Sequence, residues 1–304
     1  MTTSEAVLHR AAFIGLGVMG EPMCRNLTDK RAAVGLRDVV AFDLRDAPLQ
    51  RVSERGAVIA ASAAEAADNA DIVFVSLPGG KEVEDILIGS GGLLDAMQAG
   101  AIFVDCSTSP VTLSRELAEK ARAKGIAYAD APVARTRQAA EQGTLAIMVG
   151  ADDGTFNRIE PLLNCFASDV LHCGGIGNGQ MVKILNNMIL FETVTALSEA
   201  LSIARRAGMD GEVLFKALQS GSGDSFALRN HGMKALLADN FPEQAFSTRY
   251  AAKDLSYALE LAEQVGLTLP GAETVRSLFE QSDAAGFGDN YWPALINVID
   301  QPRE

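Results

Sequence analysis

GGIGNGQMVKILNNMILFETVTALSEALSIARRAG, residues 174–208, reads as a single long helix. Asn178 carries a side-chain oxygen able to accept an orphan backbone N–H at the start, Arg205 and Arg206 suit the negative end of the helix dipole, and Gly208 permits a left-handed stop. At about 1.5 Å per residue the helix is on the order of 40 Å long. Met181, Val182, Ile184, Leu185, Met188, Ile189, Leu190, Phe191, Val194, Leu197, Leu201 and Ile203 leave no continuous polar stripe, which predicts a spine packed on most of its circumference. In such a setting a polar side chain costs free energy unless it is paired or faces a wet cleft. Lys183 and Asn187 are four apart and point from one face, so an amine and an amide can meet one ligand there. A lysine satisfied by a buried carboxylate is the ordinary alternative.

On either side of the spine the pattern changes. Before it, short β-branched runs alternate with helical segments, which predicts strands near 11–15, 39–43, 57–60, 71–76, 101–105, 126–130, 144–150 and 168–172 in a doubly wound, mostly parallel α/β sheet. After it the strands stop, and helices are expected near 211–219, 225–238, 247–265, 271–285 and 291–299. The predicted organisation is a Rossmann-type domain over residues 1–175 and an all-helical domain over 176–304, joined by the long helix.

Composition narrows the function. With 304 residues the chain is comfortable for two domains, and 48% hydrophobic with 21% charged residues describes an ordinary globular protein. A formal net charge of −13 repels phosphate backbones and anionic lipid, so neither nucleic acid nor a membrane is an expected partner. The first residues lack a basic leader followed by a sustained apolar run, and no run is long enough to span a bilayer; a cytoplasmic location is expected. Cys24, Cys106, Cys165 and Cys173 form no CxxC pair, and His9, His172 and His231 do not fall at metal-ligand spacings, so no disulfide and no metal are expected.

The strand at 11–14 runs directly into Gly15-Leu16-Gly17-Val18-Met19-Gly20 and then into a helical pattern. In that context a GxGxxG has a mechanism. Gly15 allows the tight turn, Gly17 lets a pyrophosphate approach the backbone, and Gly20 lets helix and strand pack closely, with the helix N-terminus facing the phosphates. Asp43, at the end of the second strand, can accept the adenosine ribose hydroxyls and repels a 2′-phosphate, which favours NAD over NADP; Arg45 is the residue able to reverse that preference. Two further strand ends, at Leu77-Pro78 and at Thr108, fit the rim of a cofactor cleft, and Thr108 is suited to the nicotinamide ribose or, more ordinarily, to a turn.

GLGVMGEPMCRNL at 15–27, DCSTSP at 105–110, DAPVARTRQAAEQGTLAIMVG at 130–150, GNGQMVKILNN at 177–187 and KDLSYALELAEQVGLTLP at 253–270 resemble, in order, the segments of the β-hydroxyacid dehydrogenases, over nearly the whole chain. That resemblance implies NAD(P)-dependent hydride transfer involving a small anionic hydroxy acid or aldehyde, Lys183 as catalytic lysine, and Asn187 as a substrate ligand. It further implies that Lys253 reaches in beside the nicotinamide, that Ala134, Arg135 and Thr136 bind the substrate acid group, and that the protein forms dimers or tetramers. Alcohol oxidation by hydride transfer needs a group to take the hydroxyl proton, and a lysine serves if its proton affinity is lowered from about 10.4 by partial burial and a second cation. Ala134-Arg135-Thr136 replaces the Ser-Gly-Gly of many members, so their substrates do not carry over. Sulfolactaldehyde reductases share an Arg-Thr at this place but differ at Leu190; Arg249 can add charge to the same cleft. A silent dinucleotide-binding scaffold and an imine reductase are the alternative readings, and the retained Lys183 weighs against both.

Overall fold

The structure, a computed structural model, describes residues 9–243 and 245–301. Nine strands occur among these residues: β1 (Arg10–Ile14), β2 (Asp38–Phe42), β3 (Val58–Ile59), β4 (Ile72–Val75), β5 (Ile102–Asp105), β6 (Ala127–Asp130), β7 (Val133–Ala134), β8 (Leu145–Val149) and β9 (Ala167–His172). The helices of the first half are α1 (Gly20–Lys30), α2 (Asp46–Ser53), α3 (Ala63–Ala67), α4 (Gly80–Ile88), α5 (Leu93–Ala96), α6 (Val111–Ala123), α7 (Arg137–Gln142) and α8 (Asp153–Leu163). The second half is helical: α9 (Asn178–Arg206), α10 (Gly211–Gln219), α11 (Thr248–Gln264), α12 (Pro270–Ser282) and α13 (Ile296–Ile299), with a π-helical segment at Leu228–Leu236. The chain forms two compact units, and the division falls inside α9, between Lys183 and Ile184.

In the N-terminal unit six parallel strands lie in the order β3-β2-β1-β4-β5-β6, the arrangement of a dinucleotide-binding sheet, and β1 and β4 flank the point where the strand order reverses. Alternation along each strand sends side chains to two separate cores. Ala11 and Phe13 of β1, with Ile72 and Phe74 of β4, enter one; Ala12 and Ile14, with Val73 and Val75, enter the other. The sequence pattern predicted one sheet, but the last three strands form their own: β7 pairs antiparallel with β8, and β8 pairs parallel with β9. The two-residue β7 and the six-residue α7 that follows it are too short to carry a periodic signal.

The C-terminal unit packs around Phe191 of α9, whose ring lies 4.9 Å from Trp292 and 5.4 Å from Phe279, centroid to centroid. All three side chains are fully buried. The expected spine is real, but not buried all round. Val182, Ile189 and Ile203 are 41%, 59% and 69% exposed, and with Asn186, half-buried Thr193, Ala196, Glu199 and Arg206 they trace one open stripe at three- and four-residue spacing. Among the described residues no helix is long and apolar enough to cross a membrane.

Candidate active site

The glycine turn has the geometry its sequence predicts. Gly15 sits at φ +88°, and a Cβ there would collide with the carbonyl oxygen of Ser76 at the end of β4. A Cβ at Gly20 would strike the carbonyl of Gly15. At Gly17 a Cβ would meet nothing within 4 Å, so the backbone is bare where a pyrophosphate would lie, ahead of the N-terminus of α1. These residues fit a dinucleotide. Val18 is exposed, Met19 half-buried and Leu16 buried.

At the end of β2 the Asp43 carboxylate accepts the Leu16 N–H at 2.6 Å and, on its other oxygen, the N–H and Nε of Arg45, each at 2.9 Å. Arg45 also donates to the Leu16 carbonyl at 2.9 Å. Burial pushes Asp43 up, but the Arg45 hydrogen bond and the Leu16 N–H pull harder and hold the carboxyl below its ordinary value. Asp43 therefore clamps the glycine turn, and Arg45 is folded onto it.

From β4 and β5 a buried polar chain runs toward α9. Leu77 N–H donates to Ser107 Oγ at 2.9 Å, and Ser107 N–H donates to Asp105 Oδ1 at 2.8 Å. Ser109 Oγ donates to Asp105 Oδ2 at 2.8 Å, while Gln180 Nε2 donates to the Ser107 carbonyl at 2.8 Å and its Oε1 accepts the Ser109 N–H at 3.0 Å. Half-buried Thr108 sits at the turn of this chain, and exposed Pro78 follows Leu77. The chain continues into the start of α9: Asp130, at the end of β6, accepts the Gly177 N–H at 2.7 Å and the Gln180 N–H at 2.8 Å. Asn178, expected to cap the helix, instead donates to the Cys173 carbonyl at 3.1 Å, because the Asp130 carboxylate already takes the helix N–H groups. Burial pushes Asp130 up to about 6 despite those two N–H groups. Lys183, half-buried, stands one turn beyond Gln180.

Ala134, Arg135 and Thr136 form the turn from β7 into α7. Ala134 is buried and paired to Ala146; Thr136 caps α7 by accepting the Ala139 N–H at 3.4 Å. The Arg135 guanidinium, expected to read a substrate anion, donates to Asp169 Oδ2 at 2.7 Å, Ser168 Oγ at 2.8 Å and the Thr144 carbonyl at 2.7 Å. Its neighbour Arg137 pairs with Glu141 at 2.9 Å.

In the C-terminal unit Asn187 and Lys253 meet on one carboxylate. Asn187 Nδ2 donates to Asp254 Oδ2 at 2.8 Å, and Lys253 Nζ lies 2.9 Å from Asp254 Oδ1, over the Tyr250 ring at 4.2 Å. Asn187 and Asp254 are 3% and 2% exposed, so this is a desolvated cluster. It also gives Lys253 a counter-charge that the sequence reading did not foresee. Arg249, expected to add charge to the cleft, is committed to Asp283 at 2.8 Å and Asp289 at 2.7 Å. Asp105, Asp130, Gln180 and Asp254 are the residues that sequence reasoning missed. The two strand-end aspartates were findable, since ligands and caps in open α/β sheets gather beyond the carboxyl ends of strands. Among the described residues no group of three His, Cys, Asp or Glu side chains is placed to hold a metal ion.

Comparison with known proteins places this architecture. A family model described as the NAD binding domain of 6-phosphogluconate dehydrogenase matches residues 10–175, and one described as NAD-binding of NADP-dependent 3-hydroxyisobutyrate dehydrogenase matches residues 177–299. The chain is 36% identical to 2-(hydroxymethyl)glutarate dehydrogenase of Eubacterium barkeri, over 96% of this chain and 95% of the relative. It is 33% identical to 2-hydroxy-3-oxopropionate reductase of Escherichia coli, over 96% and 97%. The solved structure of Mycobacterium tuberculosis 3-hydroxyisobutyrate dehydrogenase with L-serine is similar at a TM-score of 0.85 and 31% identity, covering 97% of this chain and 100% of that one. With the fold and the order of motifs in agreement, the chain belongs to the β-hydroxyacid dehydrogenase family and is an NAD(P)-dependent oxidoreductase.

Proposed function

We propose that the protein moves a hydride between nicotinamide and the hydroxyl-bearing carbon of a small 3-hydroxy acid, or the matching semialdehyde, with Lys183 as general acid and base. The observation that carries this reading is the placement of Lys183 on the second turn of α9, behind a helix start that Asp130 and Gln180 hold by buried hydrogen bonds. Asn187 follows one turn later on the same helix, with its amide N–H committed to Asp254. In the oxidative direction the alcohol carbon gives up two electrons as hydride and the hydroxyl proton passes to the Lys183 amine; in the reverse direction the ammonium returns that proton to the forming alkoxide. The bound nicotinamide supplies or accepts the hydride. Gly15, Leu16, Gly17, Val18, Met19, Gly20, Leu77, Pro78 and Thr108 would hold the dinucleotide, and backbone N–H groups of the 134–136 turn would receive the acid group. Each of the three relatives is named for a short carboxylic acid or its derivative, which supports a carboxylate as the substrate's anion.

For the cofactor the proposal is NAD(H), supported by the Asp43 carboxylate at the second strand end. The ratio of kcat/KM for NADH over NADPH is expected to exceed one and to fall in Asp43→Asn, which removes a charge repelling a 2′-phosphate. A wild-type preference for NADPH would show that Arg45 sets the choice. The substrate is tested by a turnover screen of short anionic aldehydes, with carboxylate and sulfonate forms of one carbon skeleton side by side; turnover is expected for at least one carboxylate, and none for either series would end the assignment. The open stripe of Val182, Ile189 and Ile203 supports assembly of at least two copies.

A further inference from the structure

Arg135 combines two unusual features. Its backbone lies at φ +85°, a left-handed conformation that glycine adopts freely and an L side chain rarely does. Yet its side chain makes three hydrogen bonds, to Thr144, Ser168 and Asp169, all directed back into its own small sheet. The partners come from an irregularity. Along β8 and β9, Leu145 is opposite Ala167 but Ala146 is opposite Asp169, so Ser168 is an extra residue. In a regular strand Ser168 and Asp169 would face opposite sides; the bulge re-aims them, and both reach one guanidinium. Ser168 Oγ also donates to Asp169 Oδ2 at 2.7 Å, and Thr144 closes the far end of the α7 segment through its N–H to the Ala139 carbonyl at 2.9 Å. The guanidinium thus ties the first residue of the 135–144 segment to its last and fixes both to β9.

We propose that Arg135 is a positioning residue: it clasps Ser168 and Asp169 across the bulge and so holds the 134–136 turn in one conformation, ready for the substrate acid group. This rests on the reading that the turn receives that group. A turn of two glycines samples many conformations, and affinity falls in proportion to the fraction that is competent. A clasped arginine at the left-handed position gives the same backbone with the other conformations removed. The guanidinium is then spent on Asp169, and recognition of the anion falls to the backbone.

Two measurements on the full-length enzyme with NADH bound test this. Amide hydrogen exchange across residues 133–138 is expected to rise in both Asp169→Ala and Arg135→Gly, with the six-stranded sheet unchanged. KM for the short carboxylate aldehyde that the wild type reduces fastest with NADH is expected to rise about three- to tenfold in each variant with kcat changed less, and the double variant should be no worse than the single ones. The Asp169 variant is decisive in sign. If Arg135 read the anion directly, removing Asp169 would release it to the substrate and KM would fall, which would overturn the proposal. Unchanged exchange in both variants would overturn the clasp while leaving the turn's role intact. Faster exchange with unchanged KM would overturn the positioning role together with the assignment of the turn to the acid group.

Discussion

Asp254 decides which way Asn187 faces. An amide has two chemically different ends, and a carboxylate can accept only from the nitrogen, so the 2.8 Å contact from Nδ2 turns the Asn187 oxygen away from Asp254. The same carboxylate balances Lys253, whose ammonium also lies 5.1 Å from the Tyr257 ring. Substituting Asp254→Asn leaves one acceptor for two donors in a desolvated place. The expected loss is about 1.5–3 kcal/mol, or ten- to hundredfold in kcat/KM, with cofactor affinity nearly unchanged. Steady-state kinetics with a fluorescence titration of NADH checks both halves, and intact kcat/KM would exclude Asp254 from the site. None of this was legible in the sequence beyond Asn187 and Lys253 themselves. The motif put each residue on a helix, but the carboxylate between them is 67 residues from Asn187, and nothing in local spacing reports such a pairing.

At the level of elements, α9 was the easiest part to read and its start the hardest. Twenty-nine residues rich in apolar side chains, with Arg205, Arg206 and Gly208 at the end, specify a helix without help from the rest of the chain. The start is specified from a distance. Gly179 is pressed so closely between β6 and β8 that an added Cβ would strike the Met148 carbonyl and come within 2.8 Å of both Asp130 Oδ2 and the Gly150 nitrogen. Gly179→Ala must therefore push the helix off its cap. Overpacking of this kind costs about 1–3 kcal/mol, and here it also displaces the turn that carries Lys183. A lower urea midpoint accompanied by a kcat loss larger than that of an equally destabilising change in α8 is the expected result. A variant with unaltered kcat would show that the lysine does not depend on this packing. The second sheet was misread for a related reason: β8 and β9 are ordinary strands by pattern, and only the antiparallel β7, two residues long, sets them apart from the main sheet.

For the molecule as a whole, the glycine turn, the doubly wound parallel character of the first half and the switch to helices after residue 174 were implied by alternating periods and glycine placement, since those are local. The buried titratable groups were not, because burial is a property of the assembled unit. His231 shows the consequence. It is 6% exposed, its Nδ1 lies 2.6 Å from Tyr291 Oη, and burial pushes its pKa down to about 4. A histidine whose folded value lies below its unfolded value of about 6.5 binds more protons when unfolded, so stability is complete above pH 6.5 and is lost as the pH falls toward 4. From pH 7 to pH 5 the expected loss is about 2 kcal/mol, at 1.36 kcal/mol per unit below 6.5. Trp292 is the single tryptophan of the chain and lies 5.4 Å from His231, so its fluorescence during urea unfolding reports on this unit. The midpoint is expected to drop between those pH values in the wild type and to drop less in His231→Phe; equal drops would assign the acid sensitivity elsewhere.

The proposed role of Lys183 is to carry the proton during hydride exchange. It is tested most directly by single-turnover oxidation of enzyme-bound NADH in Lys183→Ala, using the aldehyde that the wild type reduces fastest. The expected rate is lower by about 10²-fold or more with NADH affinity nearly unchanged, because the lost group acts on the transition state rather than on cofactor binding. A hydride-transfer rate within a few-fold of the wild type, at full cofactor occupancy, would contradict it.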